Sequence, residues 1–107
     1  MRVYVAGPIS KGDRTKNIRK AILAAEALRK AGHTPYLPHL DFLWDLVVPG
    51  VQHDDWLKLD HEWLKVCEAL VRLPGESLGA DQEVRWAKEL GIPVYPWTLE
   101  GVGHLLK

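Results

Sequence analysis

The apolar positions of the chain fall into short runs separated by Gly- and Pro-containing breaks, and the runs change period along the chain. Arg2-Val3-Tyr4-Val5-Ala6 is a β-prone run ended by Gly7-Pro8 and predicts a buried strand. Between residues 15 and 31 the period lengthens. Ile18, Ile22, Ala25 and Leu28 form the stripe of an amphipathic helix, which Gly32 stops. Thr34-Pro35-Tyr36-Leu37 predicts a second strand, with proline tolerated at its first positions. Residues 38–53 follow neither period: Pro38 to Asp45 is too apolar for an ordinary loop, and Pro49-Gly50 then breaks it. Asp54 is placed to cap a helix running to about Val66, with Trp56, Leu59, Trp63 and Val66 on one face. Ala69 to Leu73, closed by Pro74-Gly75, predicts a third strand, and Ala80 to Leu90 a helix stopped by Gly91. Ile92 to Tyr95 predicts a fourth strand, and the residues after Thr98 a closing helical turn.

Strands alternating with helices predict right-handed βαβ crossovers and an α/β fold. The expected form is a small flavodoxin-like or Rossmann-like three-layer sandwich with a four- or five-stranded, mainly parallel sheet. No repeat, low-complexity tract or linker interrupts the pattern, so residues 1–107 are expected to form a single domain. In such sheets ligands bind beyond the carboxyl ends of the strands. Those ends are Gly7-Pro8-Ile9-Ser10, Pro38-His39 and Pro74 to Gly79, which share one rim.

Composition narrows the field. With 14 Lys+Arg against 14 Asp+Glu, the chain lacks the cationic excess expected of a protein that binds nucleic-acid polymers. The single cysteine, Cys67, excludes an internal disulfide and a multi-Cys zinc site, and its position reads as a small buried hydrophobe. The five histidines show no HxH or HExxH spacing, so neither a metal nor another cofactor is expected. No apolar run is long enough for a membrane span or a signal peptide, which leads to the expectation of a soluble cytoplasmic protein. Of the five tryptophans, Trp86 and Trp97 read as packing, whereas Trp44, Trp56 and Trp63 are candidates for stacking on a base.

Candidate chemistry gathers on the rim. A turn containing Ser77 and Gly79 leads from a strand into a helix, where backbone N–H groups and the helix dipole favour an anion; a plain connection capped by Ser77 has the same pattern. Glu83 lies one turn into that helix, as a nucleophile or base would, and as an acid favoured by the dipole would too. Asp60 differs from its acidic neighbours because its spacing places it beside Trp56, Trp63 and Leu64, where desolvation would raise its pKa. Two carboxyl groups across a pocket are what glycoside cleavage uses. His39 is the one histidine at the inferred rim.

Three segments carry a resemblance: Tyr4-Val5-Ala6-Gly7-Pro8-Ile9, Asp60-His61-Glu62-Trp63-Leu64, and Ser77-Leu78-Gly79-Ala80-Asp81-Gln82-Glu83. Together they resemble the nucleoside 2-deoxyribosyltransferase superfamily, including its 2'-deoxynucleoside 5'-phosphate N-glycosidase branch and short relatives with a Leu-Pro-Gly strand end. The resemblance implies cleavage or transfer of an N-glycosidic bond of a nucleoside or nucleoside 5'-monophosphate. It implies Glu83 as the nucleophile that forms a glycosyl ester, Asp60 as the acid facing the leaving base, and Tyr4 as the residue that positions nucleophile or sugar. Gly7, Pro8, Ile9, Ser77 and Gly79 would line the sugar and phosphate, with His39 as a pocket histidine. It further implies a homodimer or larger assembly. The loop Ser10 to Arg14 departs from the basic glycine loop of the nucleotide branch, although Lys11 and Arg14 remain available to phosphate. Residues 40–53 have no counterpart and are expected to shape the base pocket. A non-catalytic nucleotide-sensing module on the same fold is the competing expectation.

Overall fold

A computed structural model describes residues 1–107. Strands β1 (Arg2–Ala6), β2 (Thr34–Tyr36), β3 (Ala69–Arg72) and β4 (Val94–Pro96) form one sheet in the order β2-β1-β3-β4, every pair parallel. Helix α1 (Arg14–Lys30) joins β1 to β2. The 3₁₀ turn Pro38–Leu40, α2 (Asp41–Val47) and α3 (His53–Leu64) lead to β3, and α4 (Leu78–Glu89) leads to β4. A short α5 (Leu99–Val102) and a final 3₁₀ turn close the chain. The expected α/β class and parallel sheet are thus present, with four strands.

Alternation along the strands sorts the core into two layers. Val3, Val5, Ala69 and Val71 pack with Ala21, Ala24, Leu28, Val102 and Leu105 on the α1/α5 side. Tyr4, Ala6 and Leu70 pack with Leu64, Cys67, Ala80 and Ala87 on the α3/α4 side. Both faces are covered, as a parallel sheet requires. No helix is long and apolar enough to cross a membrane.

Several details differ from the sequence reading. On α1 the buried stripe is Ala21, Ala24 and Leu28, while Ile22 is 44% exposed; the small alanines bring the helix close to the sheet and turn the larger side chain outward. Helix α3 begins at His53 behind Gln52, with Asp54 inside its first turn and not at the cap. Its buried positions are Asp60 and Leu64, whereas Leu59, Trp63 and Val66 are exposed. Residues 38–48, which follow no single period, form the 3₁₀ turn and α2. Strand β4 starts at Val94, later than Ile92, and α4 starts at Leu78, earlier than Ala80.

Candidate active site

Strand order reverses direction between β1 and β3, and there a doubly wound sheet leaves a crevice beyond its carboxyl ends. A cavity of about 500 Å³ lies at this point. Its walls are the loop after β1 with the start of α1 (Gly7, Ile9, Ser10, Lys11, Arg14), α2 (Asp41, Phe42, Asp45), α3 (His53, Trp56, Leu57, Asp60) and the β3–α4 connection with α4 (Glu76 to Ala80, Glu83). Two glycines let the loops close. A Cβ on Gly7 would lie 2.8 Å from the Cβ of Leu73, and one on Gly75 would meet Pro8 Cγ at 2.7 Å. Gly75 also has φ +116°, a conformation that side chains other than glycine rarely adopt.

Glu83 belongs to the buried stripe of α4, with Ala80 and Ala87, and is only 6% exposed. That stripe faces Tyr4 on β1, whose hydroxyl donates a hydrogen bond to Glu83 Oε2. Burial pushes the Glu83 carboxyl up to about pH 7, against the opposing pull of the Tyr4 bond and the Arg72 charge. Burial and the neighbouring carboxylate drive the Tyr4 hydroxyl far above its usual range, so it stays a donor.

Asp60 holds a parallel position on α3, 7% exposed, and its Oδ1 accepts from Tyr36 Oη at 3.2 Å. The register of β1 and β2 sets Tyr4 beside Tyr36, ring centroids 5.4 Å apart. Adjacent tyrosines therefore each hold one carboxyl. Burial raises Asp60 to about 9; the hydrogen-bonded Asp41 carboxyl and the Glu83 charge add to the rise, and the Tyr36 bond opposes it. Burial also raises Asp41, so this coupled pair keeps a proton well above the ordinary carboxylate range. Between about pH 7 and 9, Glu83 is a carboxylate and Asp60 an acid. No group of three or more His, Cys, Asp or Glu side chains is arranged to hold a metal ion.

The first turn of α4, on the same cavity, suits an anion. Ser77 caps α4 by accepting from the Ala80 N–H at 3.1 Å, and Gly79 presents backbone at the first turn. Lys11 and Arg14 line the same cavity. The Arg14 guanidinium lies over the Phe42 ring at 4.9 Å, and Lys11 Nζ is 3.7 Å from Glu76 across the mouth.

Of the residues singled out in the sequence, Gly7, Ile9, Ser77, Gly79, Asp60 and Glu83 line this cavity, with Tyr4 directly behind Glu83. His39 and Pro8 do not. His39 is 1% exposed and its Nε2 bonds the Pro8 carbonyl at 3.1 Å, so it props the β1–α1 loop from inside; burial lowers its pKa. Pro8 lines a second cavity behind that loop. Trp56 lines the main cavity with Trp44 edge-on to it at 5.5 Å, whereas Trp63 stacks on Tyr36 outside it. Asp41, Asp45, His53 and Arg72 were not singled out. The first three lie in or next to the stretch without a period, and Arg72 reads in sequence as an ordinary strand residue.

The order of strands and layers is that of the nucleoside 2-deoxyribosyltransferase-like superfamily, as the sequence resemblance implied. More narrowly, the chain belongs to the family described as a domain of unknown function (DUF4406), whose model matches residues 1–95. A 2-deoxyribosyltransferase from Bacillus psychrosaccharolyticus superposes with a TM-score of 0.68 at 25% identity, over 90% of this chain and 71% of that one. A 2-desoxiribosyltransferase from Leishmania mexicana gives 0.67 at 15% identity, over 95% and 71%. The CMP N-glycosidase BcmB of Clostridium botulinum gives 0.62 at 17% identity, over 100% and 83%; these two likenesses concern the fold. No curated protein matches the chain.

Proposed function

We propose that this protein cleaves or transfers the N-glycosidic bond of a nucleoside or nucleoside 5'-monophosphate, acting as one catalytic unit over residues 1–107. The observation that carries the reading is the pair of buried carboxyls held by neighbouring tyrosines on one cavity, Glu83 by Tyr4 and Asp60 by Tyr36. Their opposite protonation fits the two tasks of such a reaction. A Glu83 oxygen attacks the anomeric carbon and the C–N bond breaks. Its electron pair leaves with the base, which takes the Asp60 proton. Water or a second base then attacks the same carbon, Glu83 departs as carboxylate, and the incoming nucleophile returns a proton to Asp60. Gly7, Ile9, Ser77 and Gly79 border the sugar, and the α4 N-terminus with Lys11 and Arg14 suits a 5'-phosphate. The fold relatives titled as deoxyribosyltransferases and a CMP N-glycosidase support this chemistry.

The test is release of free base from a panel of nucleosides and nucleoside 5'-monophosphates. Glu83→Ala is expected to lower it by at least about 10³-fold with the fold intact. Activity retained in that variant sinks the assignment. Ligand-induced thermal stabilisation without release, unchanged in the variant, would mark a nucleotide-sensing module instead.

The reading includes a homodimer or larger assembly. Helix α2 leaves Leu43, Trp44, Leu46 and Val47 exposed, a face that a second copy would cover. Sedimentation at micromolar concentration is expected to give a multiple of 12.1 kDa, and a 12.1 kDa particle contradicts it.

A further inference from the structure

We propose that Arg72 is a positioning residue of this site: its guanidinium clamps the β3–α4 turn to the first turn of α4 and holds its charge on the sheet face against which Glu83 packs. The inference rests on the role proposed for Glu83. Alternation along β3 sends Ala69 and Val71 into the α1 layer and Leu70 into the α3/α4 layer, so Arg72 is aimed at the site side of the sheet. A cation at such a position is costly unless paired. Here both arms of the fork are used. Nη1 donates to the Leu73 carbonyl, and Nη2 donates to Gly75 O at 3.0 Å and to Asp81 Oδ1 at 3.1 Å. The Arg72 side chain is 19% exposed, whereas its partner Asp81 is half in solvent, so the ion pair is shielded on the arginine side only.

These bonds bracket the working part of the chain. Ser77 and Gly79, both on the cavity wall, lie between Gly75 and Asp81, and Glu83 follows two residues later. Clamping α4 at this end sets where Glu83 meets Tyr4. The groups acting on Glu83 are Tyr4 from β1, Tyr36 from β2, Asp41 from α2, Asp60 from α3 and Arg72 from β3. Asp81 lies on its own helix, and Lys11 and Arg14 line the same cavity from the β1–α1 loop and the start of α1. Arg72 is the cation that opposes the desolvation of Glu83. A planar fork is needed to hold two carbonyls and a carboxylate together, and a lysine ammonium would keep the charge without that geometry.

The experiment separates charge from clamp. The Glu83 carboxyl is titrated by ¹³C NMR in the ligand-free protein, and KM and kcat for base release are measured alongside. In Arg72→Gln the Glu83 midpoint is expected to rise by about half a unit to one unit, with the acid limb of kcat moving up equally. In Arg72→Lys the midpoint is expected to stay near that of the wild type while KM rises several-fold. An unmoved midpoint in Arg72→Gln overturns the inference. If that variant does not fold, Arg72→Lys decides: unchanged KM together with an unchanged midpoint overturns it. A shifted midpoint in a protein that releases no base would remove the catalytic reading and leave the electrostatic role of Arg72 standing. Base release that depends on Glu83 while both Arg72 variants behave as wild type would do the reverse.

Discussion

Tyr4 and Tyr36 are neighbours across β1 and β2, and each hydroxyl is committed to one carboxyl, Glu83 or Asp60. Burial raises both acids, but Glu83 keeps the opposing help of Tyr4 and Arg72, whereas Asp60 faces the charges of Asp41 and Glu83. One therefore ionises near pH 7 and the other near pH 9. With the proposed roles, an anionic nucleophile and a protonated acid, this separation gives a bell-shaped rate. The expected profile of kcat/KM rises through about 7 and falls through about 9. A profile flat from pH 6 to 10 contradicts that assignment. Asp60 also carries a stability cost. Its folded pKa lies far above its ordinary value of 3.8, so the native state binds the proton more tightly and stability falls as pH rises toward about 9. Asp60→Asn keeps a carbonyl for Tyr36 and cannot ionise. It is expected to melt above wild type at pH 9, by roughly 4–8 °C per kcal/mol relieved, with a gap that shrinks toward pH 5 and with activity lost. A thermal scan showing equal melting at both pH values would remove the buried-acid account.

At the scale of elements, the site depends on how closely the ends of β1 and β3 approach. Gly75 turns with positive φ against Pro8, and replacing it with alanine forces a contact at 2.7 Å and a strained backbone. Gly75→Ala is expected to cost about 1–3 kcal/mol in urea unfolding and to displace the Ser77 turn. A loss within about 0.5 kcal/mol, the usual range for a surface substitution, would mean that the turn is not constrained as described. The same scale explains what could be read in advance. The strands were legible because Gly and Pro punctuate them, and because Val3-Tyr4-Val5 and Leu70-Val71 admit one reading. Helix faces were not, since a hydrophobic stripe assumes that the largest apolar side chains go inward. On α1 the sheet takes Ala21 and Ala24 and leaves Ile22 out, and on α3 it takes the acid Asp60 and leaves Trp63 half in solvent. Glu83 was marked by its position near the rim, and Asp60 by its spacing beside Trp56, Trp63 and Leu64. Asp41 and Arg72 were not, because their contacts follow from the fold of residues 38–48 and from which face of β3 meets α4. His39 looked like a rim residue because it ends a strand, yet the 3₁₀ turn at Pro38 folds it under the loop.

Over the whole molecule acidic and basic residues are equal in number, yet several of both line one cavity. Asp41, Asp45, Asp60 and Glu83 come to the cavity from α2, α3 and α4, and Lys11, Arg14 and the α4 N-terminus line it too, with Arg14 over Phe42 and Lys11 beside Glu76. Charges of both signs thus meet at the switch point that the strand order β2-β1-β3-β4 creates, which suits a small polar ligand. The central claim is that Glu83 carries the sugar between the two half-reactions, and a covalent adduct reports on it directly. Protein quenched during turnover of a nucleoside or nucleoside 5'-monophosphate and analysed by mass spectrometry is expected to gain the mass of the glycosyl group. Fragmentation should place that mass on Glu83, and the adduct should be absent in Glu83→Ala. Base release at full rate with no adduct, or an adduct on another residue, would contradict the account.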